Sequence, residues 1–228
     1  MDIKSVLIDL DKTLWDFDTN SNETIEELFY KFEADKYCSF SDYIKKYREI
    51  NNQLWEDYRN AKLEKDILIW SRYYLSLKHF GLDNKELAQE MGQQYLKLSP
   101  TKTKLIPHSI EILEYLQKKY KIYLVTNGFI EVQYTKVRNS KIEKYFDRIF
   151  TSEEVGYNKP HQLFFDFVLK NTNSTPENSI MIGDDINVDI IGAAENGIKT
   201  IWCNFNNETS DFKPDFEVKN LLEIKDIL

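Results

Sequence analysis

A chain of 228 residues, 42% hydrophobic and 30% charged, carries enough apolar material for one large domain or for a domain with a substantial insertion. Its 38 acidic against 30 basic side chains give a formal charge of −8. That balance argues against a broad nucleic-acid surface, which needs basic excess to release counterions. A small anionic substrate stays open, because one metal ion can reverse the potential of a single pocket.

The chain opens with Val6-Leu7-Ile8, a short apolar run read as a strand covered on both faces. No basic stretch precedes a long apolar segment, so no signal peptide is expected. No window approaches the roughly 20 apolar residues needed to span a bilayer. Cys38 and Cys203 lack CxxC spacing and are expected as unlinked thiols of a reduced compartment, with the cytoplasm as the default location.

From Asp16 to Lys104 the pattern is helical throughout. Four apolar stripes follow one another: Ile25, Leu28, Phe29 and Phe32; Ile44, Tyr47, Leu54, Trp55 and Tyr58; Leu68, Ile69, Tyr73, Leu77 and Phe80, stopped by Gly81; and Leu87, Met91, Tyr95 and Leu98 before Pro100. Four amphipathic helices can bury such stripes against each other. The expected division is a core of residues 1–15 and 105–228 with a helical insertion at 16–104. Aromatic side chains are abundant in these stripes, and core packing accounts for them.

Beyond the insertion, strand-like runs recur at Ile122–Val125, Ile149-Phe150, Ile180–Ile182 and Thr200–Cys203. Helical patterns separate them: one after Pro107, one after Pro160, read as a helix-starting proline, and one around Ile190, Ile191 and Ala194 before Gly197. Alternating strands and helices predict an α/β fold, a Rossmann-like parallel sheet with helices on both faces.

Four places carry chemistry. Asp9 and Asp11 flank Leu10 at the end of the first strand, on one side of the chain if the strand geometry continues. Two close carboxylates repel unless a cation intervenes; the plain alternative is a strand end with solvated acids. Thr126-Asn127-Gly128 ends the second strand and offers a hydroxyl and turn amides to phosphate oxygens; the alternative is an ordinary turn with Gly128 at positive φ. Lys159 precedes Pro160 and could equally be a surface residue. Asp184, Asp185 and Asp189 follow the Ile180–Ile182 strand without a basic partner, a set suited to a hard divalent cation such as magnesium, although Asp189 could simply cap the next helix. Each place is weak alone, but all lie at carboxyl ends of parallel strands, where α/β sheets bind ligands. Together they supply the parts of a phosphoryl-transfer site. His79, His108 and His161 have no metal-ligand spacing, and His161 is read as a solvated helix-start residue.

With these residues in order, the sequence resembles the haloacid dehalogenase superfamily over essentially its whole length. The resemblance rests on Asp9-Leu10-Asp11-Lys12-Thr13, Thr126, Lys159 and Gly183-Asp184 through Asp189. The insertion resembles that family's small helical cap. Val125–Phe129, Ser152–Gly156 before Lys159-Pro160, and Leu54–Tyr58 resemble its bacterial house-cleaning 5′-nucleotidases. The resemblance implies a magnesium-dependent phosphomonoester hydrolase acting on a small phosphorylated metabolite. Asp9 would be the nucleophile that becomes an aspartyl-phosphate, and Asp11 the general acid and base. Thr126, Asn127, Gly128 and Lys159 would bind phosphate. Mg2+ would be held by Asp9, Asp184 and the backbone carbonyl of Asp11. Asp189 would orient Lys159 or metal-bound water, and Asp185 has no assigned role. Asp11 speaks against a dehalogenase, since halide leaves without a proton and those members lack that acid. A sugar phosphatase or phosphomutase, and a non-catalytic phosphate-binding protein, stay open; a phosphate-accepting receiver domain is too short to carry such an insertion. Trp15, Phe17 and Phe129 are expected to border the cleft between core and cap, where a nucleobase could stack on them or where they merely pack.

Overall fold

A computed structural model describes residues 2–228, which form two compact units: Asp18–Lys102, and the stretches flanking it. β1 (Ser5–Ile8) opens the first unit. The helical unit then holds α1 (Phe17–Lys31, which begins one residue ahead of it), α2 (Phe40–Arg59), α3 (Lys65–His79) and α4 (Lys85–Leu98). The first unit continues with α5 (Ser109–Leu116), β2 (Lys121–Thr126), α6 (Ile130–Asn139), β3 (Arg148–Thr151), α7 (Ser152–Val155), α8 (Gln162–Thr172), β4 (Ser179–Gly183), α9 (Gly192–Glu195), β5 (Lys199–Cys203) and β6 (Phe216–Val218).

The six strands form one parallel sheet in the order β3-β2-β1-β4-β5-β6. Every residue of β1 is buried, which is why it reads as a continuous apolar run rather than an alternating one. Successive side chains point to opposite faces, and the core divides accordingly. Val6 and Ile8 pack with Leu113, Leu116 and Ile224 on one face, while Leu7 packs with Phe164, Phe165 and Val168 on the other. Each such Leu or Ile contributes about 1.5–3 kcal/mol by burial. Because β1 lies between β2 and β4, the strand order reverses beside it, and loops leaving neighbouring strands in opposite directions open a ligand crevice there.

The helical unit packs the anticipated stripes. Ile25, Leu28, Phe29, Tyr43, Tyr47, Tyr73, Leu77, Met91 and Tyr95 form its core, and Leu54, Trp55 and Tyr58 stay partly exposed. Ser39 caps α2 by accepting from the Asp42 amide, and Asn84 caps α4 by accepting from the Leu87 amide. No described helix is long and apolar enough to cross a membrane.

One local expectation is corrected, one is refined and one element was not foreseen. Pro160 does not start α8, whose N-cap is His161 and whose first residue is Gln162. The segment before Gly197 is a π-helical turn, Ile186–Ile191, leading into α9. β6 escapes the sequence reading because only three residues pair with β5, too few to make a pattern. Cys38 and Cys203 are free thiols.

Candidate active site

The carboxyl edge of the sheet sets the geometry. Asp9 directly follows β1, and its amide donates to the Ile182 carbonyl of β4 at 2.9 Å. Ile8 is in register with both Leu124 and Ile182, so the residues just beyond them are brought close together. Asp184 follows the last residue of β4, and Trp202 of β5 fixes it by donating from Nε1 to the Asp184 carbonyl at 2.8 Å.

Lys159 is no surface residue. It is 1% exposed, and its Nζ donates to Asp9 Oδ1, Asp189 Oδ1 and the Val125 carbonyl at 2.7, 2.7 and 2.8 Å. A loop residue reaches that depth because Asn127 clamps its backbone. The Asn127 Oδ1 accepts from the Lys159 amide and its Nδ2 donates to the Lys159 carbonyl, each at 2.8 Å. The Asn127 side chain is thus committed to positioning Lys159, which leaves the expected phosphate contact to the turn's backbone amides.

Asp9, Asp184 and Asp189 each place a carboxylate oxygen within 4.8 Å of the others. Burial raises the pKa of Asp9 from its ordinary 3.8 to about 7, with Lys159 opposing and Asp189 adding to the rise. Burial likewise pushes Asp184 well up, assisted by the charge of Asp9, and raises Asp189 against the pull of Lys159. Burial works against the ammonium of Lys159, but Asp189 and Asp9 outweigh it and keep it protonated. The buried Asp9 and Asp189 therefore share the fully buried Lys159, and the partly buried Asp184 lies beside them with the charge of Lys12 opposing its rise. Such an excess of hard oxygen donors fits a divalent ion of the magnesium type.

Asp189 lies in the cluster as well, in contact with Lys159 as the resemblance implies. One Asp189 oxygen is on Lys159 and the other accepts the Asp185 amide at 3.2 Å. Asp184 receives only Thr13 Oγ1, at 3.1 Å. Asp9 and Asp184 thus keep the greater capacity for an ion. Asp189 does not cap the following turn; Asp185 does, its Oδ1 accepting from the Asn187 and Val188 amides. Gly183 is obligatory, because a Cβ there would run into the Asp189 side chain.

Thr126 is buried, and its Oγ1 accepts from Gln133 Nε2 at 2.6 Å and from the Gly128 amide at 3.2 Å. Both lone pairs are used, which leaves the hydroxyl proton to donate. Gly128 is not at positive φ; it is glycine because a Cβ would strike the Gln133 side chain. Asp11 stands apart from the Asp9 cluster, held by Lys136 Nζ on Oδ1 at 2.6 Å and by Gln133 Nε2 on Oδ2 at 2.9 Å.

Gln133 and Lys136 are functional candidates that sequence reasoning missed. Their signal was faint: two polar residues, i and i+3 on α6, beside the buried Val132 and Val137. Two of the three rings take the packing alternative. Trp15 is fully buried in the core and Phe129 is 2% exposed, so neither offers an open face for a base.

Fold and site together define a doubly wound α/β protein whose ligand edge carries buried acids balanced by one lysine. The chain belongs to the haloacid dehalogenase-like hydrolases, whose family profile matches residues 6–203. Pyrimidine 5′-nucleotidase PynA of Streptococcus pneumoniae is 29% identical over 230 residues, covering 99% of this chain and 94% of that protein. Pyrimidine 5′-nucleotidase YjjG of Escherichia coli is 25% identical, covering 98% and 96%. The crystal structure of the HAD-hydrolase YfnB of Bacillus subtilis bound to magnesium superposes with a TM-score of 0.91 at 27% identity, covering 100% of this chain and 99% of that one.

Proposed function

We propose that this chain is a magnesium-dependent phosphomonoester hydrolase acting through an aspartyl-phosphate on Asp9, with nucleoside 5′-monophosphates as its substrates. The observation that carries the reading is the division of labour between two acids on one loop. Asp9 is buried against Lys159 and the other acids, whereas Asp11 is partly exposed and has its own donors in Lys136 and Gln133. Two carboxyl groups in environments this different can take different roles.

An Asp9 oxygen attacks phosphorus and the bond from phosphorus to the ester oxygen breaks. Asp11 gives its proton to the departing oxygen, then takes one from water as that water attacks the phosphoryl group, releasing inorganic phosphate. Lys159 and the Thr126 hydroxyl bind the transferring oxygens. Magnesium, held by Asp9, Asp184 and the main-chain carbonyl of Asp11, would neutralise the negative charge shared by nucleophile and phosphate. Burial raises the pKa of Asp9 to about 7, and a divalent cation beside it would favour the ionised, nucleophilic form. The YfnB structure, which contains magnesium, supports this role.

The substrate class rests on PynA and YjjG, both pyrimidine 5′-nucleotidases, and a pyrimidine preference follows from them. We assign the Asp18–Lys102 unit as the family's cap and place leaving-group preference in it. Asp11 is the residue that separates this reading from a dehalogenase. The test is hydrolysis of a panel of phosphomonoesters with magnesium. Nucleoside monophosphates should exceed glycerol phosphate in kcat/KM by about tenfold or more; equal rates on sugar phosphates and nucleotides would remove the nucleotidase assignment and leave the phosphohydrolase one.

A further inference from the structure

Lys136 poses a problem that the proposed chemistry leaves unsolved. Its side chain is 4% exposed, yet the only carboxylate it meets is Asp11, whose own side chain is 26% exposed. The ammonium lies 4.2 Å from the centre of the Trp15 ring and 5.5 Å from that of Phe17. No other acid pairs with it among the described residues. An ammonium withdrawn from water onto two aromatic faces and one carboxylate is an unfavourable way to build a core. It is a sound way to fix a carboxylate at one angle, because the two rings flank the ammonium and restrict where Lys136 can move.

Gln133 completes the fixation. Its Nε2 carries two protons, and both are used: one on Asp11 Oδ2 and one on Thr126 Oγ1. Both Asp11 oxygens are therefore tied to α6, one through Lys136 and one through Gln133. Gly128 leaves the space through which the Gln133 side chain passes. Trp15 also anchors the other end of the Asp11 loop, since its carbonyl accepts from the Lys12 amide at 2.8 Å. The ring expected at the mouth of a cleft is instead the floor beneath Lys136.

We propose that Lys136 and Gln133 are positioning residues that aim the Asp11 carboxyl at the leaving-group oxygen, with Trp15 as the platform that holds Lys136 in place. This inference rests on the phosphohydrolase reading and assigns a role to residues outside its chemical steps. Aiming a general acid matters only when the leaving group needs a proton. Alkoxides of nucleosides and glycerol need one; 4-nitrophenolate leaves without help. A purely structural lysine would lower all rates alike.

The experiment compares Lys136→Met, Lys136→Arg and Gln133→Leu on a nucleoside 5′-monophosphate, on glycerol phosphate and on 4-nitrophenyl phosphate with magnesium, alongside thermal unfolding. Lys136→Met should lose about a hundredfold in kcat on the two alkyl esters, within the 10²–10⁴ range of general acid–base catalysis, and less than about fivefold on 4-nitrophenyl phosphate. KM should stay within about threefold throughout. Lys136→Arg keeps a charged donor to Asp11 and should recover at least about a tenth of wild-type turnover on the alkyl esters. Gln133→Leu leaves the Lys136 pair intact and should show the same bias at about tenfold loss, which keeps the test decisive if Lys136→Met does not fold. Losses equal on all three substrates, or none on the alkyl esters, overturn the inference while leaving the phosphohydrolase reading in place. A wild-type protein inactive on every phosphomonoester defeats that reading, and the positioning role with it.

Discussion

The two units of this protein handle a buried cation in opposite ways. At the sheet edge, Lys159 meets Asp9 and Asp189 at 2.7 Å each, and Asp184 adds a third acid nearby. In the helical unit, Arg72 is almost as buried but meets no carboxylate. Its Nη1 donates to Asn51 Oδ1 at 3.2 Å, and its guanidinium lies 4.8 Å from the centre of the Tyr95 ring and 5.4 Å from that of Tyr73. The first arrangement concentrates charge that a reaction can use. The second dissipates a charge into aromatic rings and an amide, which serves packing. Buried charge therefore points to a functional place where it is held against a carboxylate, as at Lys159 and Lys136, and to packing where it is not, as at Arg72.

The sharpest way to break this contrast is to remove the nucleophile. Asp9→Asn should lower turnover by at least about a thousandfold, the scale at which removal of a nucleophile acts, while thermal unfolding stays cooperative. A variant keeping a tenth of wild-type turnover would end the covalent account.

Next in size is the cation itself. Lys159→Met leaves the three acids unbalanced and should cost about 3–5 kcal/mol in denaturant unfolding, with little activity left. Arg72→Met leaves no charge behind and takes a donor only from the Asn51 oxygen and the Ile69 carbonyl, so about 1–2 kcal/mol should suffice. Equal costs would mean that the two sites do not differ in kind.

Metal removal sharpens the comparison further, because only the sheet edge should respond. Chelation should abolish turnover, and saturating magnesium should stabilise the fold by about 2.7 kcal/mol at a hundredfold excess over Kd. The sign with pH is fixed by Asp9. Its pKa of about 7 lies above the ordinary 3.8, so the metal-free fold holds a proton that the unfolded chain has released. That stabilisation is full below the unfolded value and lost as pH rises through 7. Magnesium must displace this proton, so the magnesium-induced gain in Tm should grow from about pH 5.5 to about pH 8. A gain independent of pH, or one that Asp184→Asn leaves unchanged, would place the ion elsewhere.

The sheet was legible in the sequence, and so were Asp9 and Asp184 as candidates, because each of those acids follows a strand's apolar run. β1, β2 and β4 are nearly uniform in buried apolar residues, and a polar residue ending such a run stands out. Gln133 and Lys136 were not legible, because a glutamine and a lysine on a helix look like solvent-facing residues until the fold turns them inward. The clamp that the Asn127 side chain forms was not legible for a related reason. Its partner is the backbone of Lys159, 32 residues on, and sequence pattern carries no record of backbone partners. Whether Trp15 packs or faces a ligand was open in the sequence, because proximity to Asp9 and Asp11 says nothing about which way its ring turns. In the helical unit the periodicity located all four helices, yet it could not distinguish Arg72 from the exposed cations beside it.

The central claim is the covalent bond to Asp9, and it can be read directly. Asp11→Asn should slow hydrolysis of the intermediate while 4-nitrophenolate still leaves unaided, so phosphoenzyme should accumulate when that variant is mixed with radiolabelled 4-nitrophenyl phosphate and magnesium, then quenched in acid. Borohydride reduction and peptide mass spectrometry should find homoserine at position 9 in stoichiometric yield, and none in the Asp9→Asn/Asp11→Asn double variant. Turnover without protein-bound label, or label on any other residue, would contradict the account.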